Sequence, residues 1–221
     1  MELKIKKIAD YLLLRSSYLQ EIGLFHGKMG VAVALYMYSS KYKDKLMEEY
    51  AWDLFQQVYD KVHIDMPVGL ETGLAGIGYG TTLLYKYGLV SCDLNEILMD
   101  VDSKIMERDP RRMSDLSART GLGGILQYIA LRQSTGEPLL TFDRQYLTEL
   151  NNAVANNASL HSLCQLREPT DLLAHPQFNI DGYIGIVISA FIIKTGIETL
   201  LDPLGKVVGK KVQGELASAI K

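Results

Sequence analysis

Apolar residues are distributed along this chain in two alternating ways. In the first, they recur at three- and four-residue intervals: Ile5, Ile8, Tyr11 and Leu12 between about Glu2 and Leu19, Tyr50, Leu54, Val58 and Val62 between Asp44 and His63, and Ile97, Val101 and Ile105 between Asp93 and Arg108. That spacing predicts amphipathic helices with one buried stripe. In the second, whole stretches are apolar on every side. The run Val31-Ala-Val-Ala-Leu-Tyr-Met-Tyr lies in a predicted helix from about Gly27 to Ser40, and similar helices are expected over Gly73 to Tyr87, Gly121 to Gln133 and Gly182 to Lys194. Helices of that kind belong inside, enclosed by others. Sustained period-two alternation is missing, so strands are absent or minor.

Breaks fall where this alternation needs them. Pro67 and Gly69 break the chain before the second glycine frame, and Gly88 is placed to stop the second enclosed helix. Asp93 and Glu96 have capping-box spacing and open the helix expected to run to about Arg108, which Asp109–Pro110 ends. Gly136–Glu137–Pro138 makes a turn before a polar helix over Phe142 to Asn157. The stretch from Ala158 to Pro176 is less regular, and Ile197 to Leu201 and Val207 to Ile220 form an amphipathic tail.

Each enclosed helix begins with the same glycine frame: Gly27-Lys-Met-Gly30, Gly73-Leu-Ala-Gly76, Gly121-Leu-Gly-Gly124 and Gly182-Tyr-Ile-Gly185. The leading glycines are 46, 48 and 61 residues apart. The first two frames also share Gly23–Leu24 and Gly69–Leu70 upstream. Spacing of this order marks repeated units that cannot bury their apolar faces alone. The expected architecture is therefore all-α, an arc of about four helical hairpins in one domain over residues 1–221.

Composition narrows the partners. A net charge of −3 gives no reason to expect nucleic acid or an anionic membrane. Tyr183 to Ile193 is too short to span a bilayer, and Cys92 and Cys164 are too few for a disulfide framework, so a cytoplasmic protein is expected.

The segments Phe25-His-Gly-Lys-Met-Gly-Val31 and Gly69-Leu-Glu-Thr-Gly-Leu-Ala-Gly-Ile-Gly78 resemble the repeats of the lanthionine synthetase C-like family. The resemblance covers most of residues 20 to 190. It implies an α/α-toroid of alternating inner and outer helices, here a partial one, and a place in a peptide-modification pathway such as lantibiotic biosynthesis. Family cyclases have about seven hairpins and use zinc, held by two cysteines and a histidine just before the glycine frames, to add cysteine thiols to dehydroamino acids. The equivalent positions here are Phe25–His26, Glu71–Thr72, Arg119–Thr120 and Ile180–Asp181, none a cysteine. The expectation is a protein that binds or presents a peptide without zinc cyclase activity and without a cofactor.

Those positions hold the candidate chemistry. Equivalent repeats would gather His26, Glu71 and Asp181 at one end of the arc as candidate catalytic groups, with Thr72, Arg119, Thr120 and Tyr183 lining a pocket. A histidine beside carboxylates suits acid–base work, and the resemblance implies a proton-transfer role for His26. The inner-helix N-termini are expected to add partial positive charge and free N–H donors. The plainer alternative is that Thr72, Thr120 and Asp181 cap helices. An active cyclase or hydrolase using His26 with Glu71 or Asp181 is a second reading; a structural module completed by a homodimer or a partner chain is a third. His161, Cys164 and His175 are the weaker alternative for a zinc site.

Overall fold

The computed structural model describes residues 2–25, 27–157 and 160, and the description below concerns these. They form eight α-helices and one 3-10 turn, with no strand among them: α1 Glu2–Ser16, α2 Lys28–Tyr42, α3 Lys45–Tyr59, α4 Leu74–Lys86, α5 Leu94–Ile97, α6 Met99–Met106, the turn Pro110–Arg112, α7 Leu122–Gln133 and α8 Arg144–Ala155. The expected all-helical class is therefore what the described residues adopt.

Three of the four glycine frames are described, and they lead α2, α4 and α7. All three are enclosed. Every residue of α2 from Lys28 to Ser39 is buried, and α4 and α7 bury most of their length. They lie side by side with α4 in the middle, in contact with α2 on one side and α7 on the other. Around them stand the amphipathic helices. α1 and α3 pack on α2, and α6 packs on α4. α3 buries Met47, Ala51, Leu54, Phe55 and Val58; of the stripe its spacing predicts, Leu54 and Val58 are buried and Tyr50 and Val62 half-buried. One continuous apolar core runs from Ala9 and Leu12 in α1 to Tyr146 and Leu150 in α8.

Local chemistry sets the ends of these helices. Asp44, Asp93 and Asp143 each accept backbone N–H groups of the turn they open. After α4 the chain turns at Gly88 with φ of +64°, the left-handed geometry that glycine adopts without a Cβ penalty. The helix expected from Asp93 to Arg108 differs. It is two helices, with a break at Leu98, where φ and ψ are −106° and 7°. Leu94, Leu98, Val101, Asp102 and Ile105 are all buried, so the inward face continues from α5 into α6 across the break.

The fourth glycine frame at Gly182, the irregular stretch and the C-terminal tail lie outside the described residues. Among those described, no helix is long and apolar enough to cross a membrane.

Candidate functional site

The N-terminal ends of α2, α4 and α7 are built alike, each by a loop that folds back on its own helix. The first helical N–H in each unit donates to a carbonyl of the preceding loop: Lys28 to Glu21 at 3.0 Å, Leu74 to Pro67 at 2.8 Å and Leu122 to Asp115 at 2.9 Å. A second bond follows in two of them, from Met29 to Ile22 and from Ala75 to Val68. These donors, expected to be free for a ligand, are thus satisfied within the chain, because each of these loop carbonyls sits where an anion would. The capping alternative needs correction as well for the described units. The cap positions are Gly27, Gly73 and Gly121, with no side-chain bond, and Thr72 and Thr120 stand one residue earlier.

The loops are also joined to each other. Phe25 N–H donates to the Glu71 carbonyl at 3.0 Å, and Glu71 N–H donates to the Arg119 carbonyl at 2.9 Å. The three residues hold the same place in their units, two before the leading glycine. Glycine four residues before the frame permits this closeness. A Cβ on Gly23 would lie 2.6 Å from Thr72 Cα, and one on Gly69 would lie 2.9 Å from Thr120 Cα.

Side chains continue the row. Arg119 pairs with Glu71, Nη1 to Oε1 at 3.1 Å, and its guanidinium stands 5.6 Å from the centre of the Phe25 ring. Glu71 is mostly covered, whereas Arg119 is 47% exposed. Of the candidate residues, then, Glu71 and Arg119 are brought together. Thr72 and Thr120 are exposed on the same loops. His26, Asp181, Tyr183 and the trio His161, Cys164 and His175 lie outside the described residues. No other group of three histidine, cysteine, aspartate or glutamate side chains among the described residues is placed to hold a metal ion.

Two residues here were not among the candidates. Phe25 could have been found by its place in the repeat. Asp115 organises the third loop, accepting Thr120 Oγ1 at 2.6 Å and Ser117 N–H at 2.9 Å. The Thr120 hydroxyl first, and then the Ser117 donors, hold its carboxyl below the usual value of 3.8. A carboxyl whose folded pKa lies under its unfolded one stabilises the loop above the unfolded value, and that support goes as pH falls through the folded value. We expect Thr120→Val to move the Asp115 titration, followed by carboxyl-carbon NMR, back toward the ordinary range. An unmoved midpoint would contradict the bond.

A second polar group lies deep in the core. Asp102 of α6 is fully buried and accepts Tyr128 Oη at 2.5 Å, Thr141 Oγ1 at 2.5 Å and Arg132 Nη2 at 3.3 Å. Arg132, 2% exposed, also reaches Asn95 Oδ1 at 3.1 Å, while its Nε and Nη1 have no partner among the described residues. Burial pushes the Asp102 carboxyl up, against the opposing pull of Thr141, Tyr128 and Arg132. Tyr128 is fully buried, its hydroxyl held by Asp102. The signal for this cluster was a carboxylate set among Leu98, Val101 and Ile105 on the apolar side of its helix. Cys92 is half-buried, and burial and then Asp93 raise its thiol, which suits a passive residue.

No family model matches the chain, and no curated protein matches it.

Proposed function

We propose that the chain is a partial α/α-toroid, of lanthionine synthetase C-like design, that binds or presents a peptide through the loop end of its inner helices and does not perform zinc-dependent cyclisation. The toroidal reading is supported by the repeated junction. The same backbone bond from Phe25 to Glu71 and from Glu71 to Arg119 calls for a similar rotation from each unit to the next. That Arg119 reaches the Phe25 ring, two units back, is in keeping with loop ends that converge.

The observation that carries the binding role is the Phe25–Glu71–Arg119 group itself. A half-exposed guanidinium, steadied by a carboxylate on one side and a ring on the other, keeps donors directed outward, and such donors suit peptide carbonyls or a carboxylate. Engagement of Glu71 by Arg119 favours binding over the hydrolase reading, since a carboxylate already paired is a poor general base. Cysteine is missing from each position equivalent to the family's zinc ligands, which is why the thiol-activating step is left out.

The test is fluorescence anisotropy with labelled peptides rich in serine, threonine and cysteine. Wild-type protein is expected to bind members of the set, and Arg119→Ala to weaken binding by about tenfold or more, the loss of one charge-assisted contact. Equal binding by the variant, or none by the wild type, would overturn the site. Thioether formation on a dehydroalanine peptide in the presence of zinc would overturn the non-cyclase assignment.

A further inference from the structure

We propose that a groove at the opposite end of the bundle is a docking site for a basic peptide segment, seating one lysine or arginine side chain against Trp52 and beside Glu48 and Glu49. The groove has a volume of about 410 Å³ and is lined by Tyr36 of α2, Lys45, Glu48, Glu49 and Trp52 of α3, and Leu89 just past α4. α4 is 13 residues long, so its two ends, and with them the groove and the glycine loops, stand about 20 Å apart.

Three features identify a cation as the occupant. First, the two carboxylates outnumber the single ammonium of Lys45, and no ion pair among the described residues engages either of them. Paired carboxylates left open over a partly apolar floor attract an ammonium or guanidinium. Second, Trp52 is 46% exposed, which is unusual for the largest apolar side chain, and it is held in place by stacking on Phe55 with ring centres 5.9 Å apart and planes 19° apart. A fixed, open indole face is the best ring surface for a cation. Third, Tyr36 and Leu89 give the floor an apolar part on which the methylene stem of lysine or arginine can lie. Burial and then Glu48 raise the Tyr36 hydroxyl to about 12, so it stays neutral and the charge of the groove is that of Lys45, Glu48 and Glu49. A peptide is favoured over a free polyamine because stem, charge and ring contacts together fit one side chain carried on a backbone running along the groove.

Trp52 is the chain's single tryptophan, so its emission reports on this groove alone. Titration with a tetralysine or tetra-arginine peptide is expected to give a saturable change in tryptophan emission that weakens as ionic strength rises. The exposed pair Glu48→Gln with Glu49→Gln should fold normally by circular dichroism and raise the dissociation constant about tenfold or more. A flat titration, a response unaltered in the glutamine variant, or the same response to tetraglutamate would overturn the proposal. Spermidine binding as tightly as the peptides would overturn the choice of a peptide as occupant. Arg119→Ala should leave this titration unchanged, so failure here and failure of peptide binding at the loop end are separate results.

Discussion

Replacing Asp102 with alanine is expected to cost about 3–5 kcal/mol of stability, because it leaves a guanidinium buried without its counter-charge. Arg132 is 2% exposed, and its Nε and Nη1 already lack partners among the described residues, so the carboxylate is what compensates its burial. The same substitution removes the acceptor for the Tyr128 and Thr141 hydroxyls. In a chain of this length the loss corresponds to a fall in Tm of roughly 6–20 °C. Removing both charges together, as Asp102→Leu with Arg132→Met, should be milder than the single alanine variant, since no unpaired ion remains. Denaturant titration of the single and double variants checks this. An alanine variant within about 1 kcal/mol of wild type would show that Arg132 does not depend on Asp102.

The second large effect is expected at Gly73. A methyl group there would meet the Pro67 carbonyl oxygen at 2.1 Å and the backbone of Gly69 at 2.7 Å. Both neighbours are backbone held by hydrogen bonds to the start of α4, from Leu74 N–H to Pro67 and from Gly73 N–H to Gly69, so neither can move alone. Alanine ordinarily gains about 0.4–1 kcal/mol over glycine by restricting the unfolded chain. Here overpacking should exceed that gain and leave a loss of about 3 kcal/mol. Gly136→Ala is the useful comparison. Its position is open, with no atom within 4 Å, and its φ of +81° limits the cost to backbone conformation, about 1–2 kcal/mol. Equal losses at the two positions would mean that the loop does not press on Gly73.

The inner helices were legible because two independent signals coincide in them. All-round apolarity marks enclosure and a leading glycine marks the start, so α2, α4 and α7 begin within one residue of the expected place. Asp93 was legible as a cap for a similar reason: its bonds go to residues two and three positions on. The break at Leu98 was not, since the apolar spacing runs through it unchanged. Asp102 and Arg132 are 30 residues apart, and nothing in the periodicity of either helix says that they meet. At the loop end, the recurrence of the frame pointed correctly to Glu71 and Arg119 as neighbours. It did not reveal that the loop carbonyls occupy the helix N–H groups, because that depends on a chain reversal spanning seven residues rather than on residue type.

Position 117 has a further consequence. The first two loops carry glycine there, at Gly23 and Gly69, and each accepts the following loop against bare backbone. Ser117 instead presents a side chain, tied to Thr120 at 3.0 Å, within the network that Asp115 organises. Among the described residues the third loop thus offers a hydroxyl, already engaged by Thr120, where the first two offer bare backbone, and Ser117→Gly is the substitution that would make the three loops alike at this position.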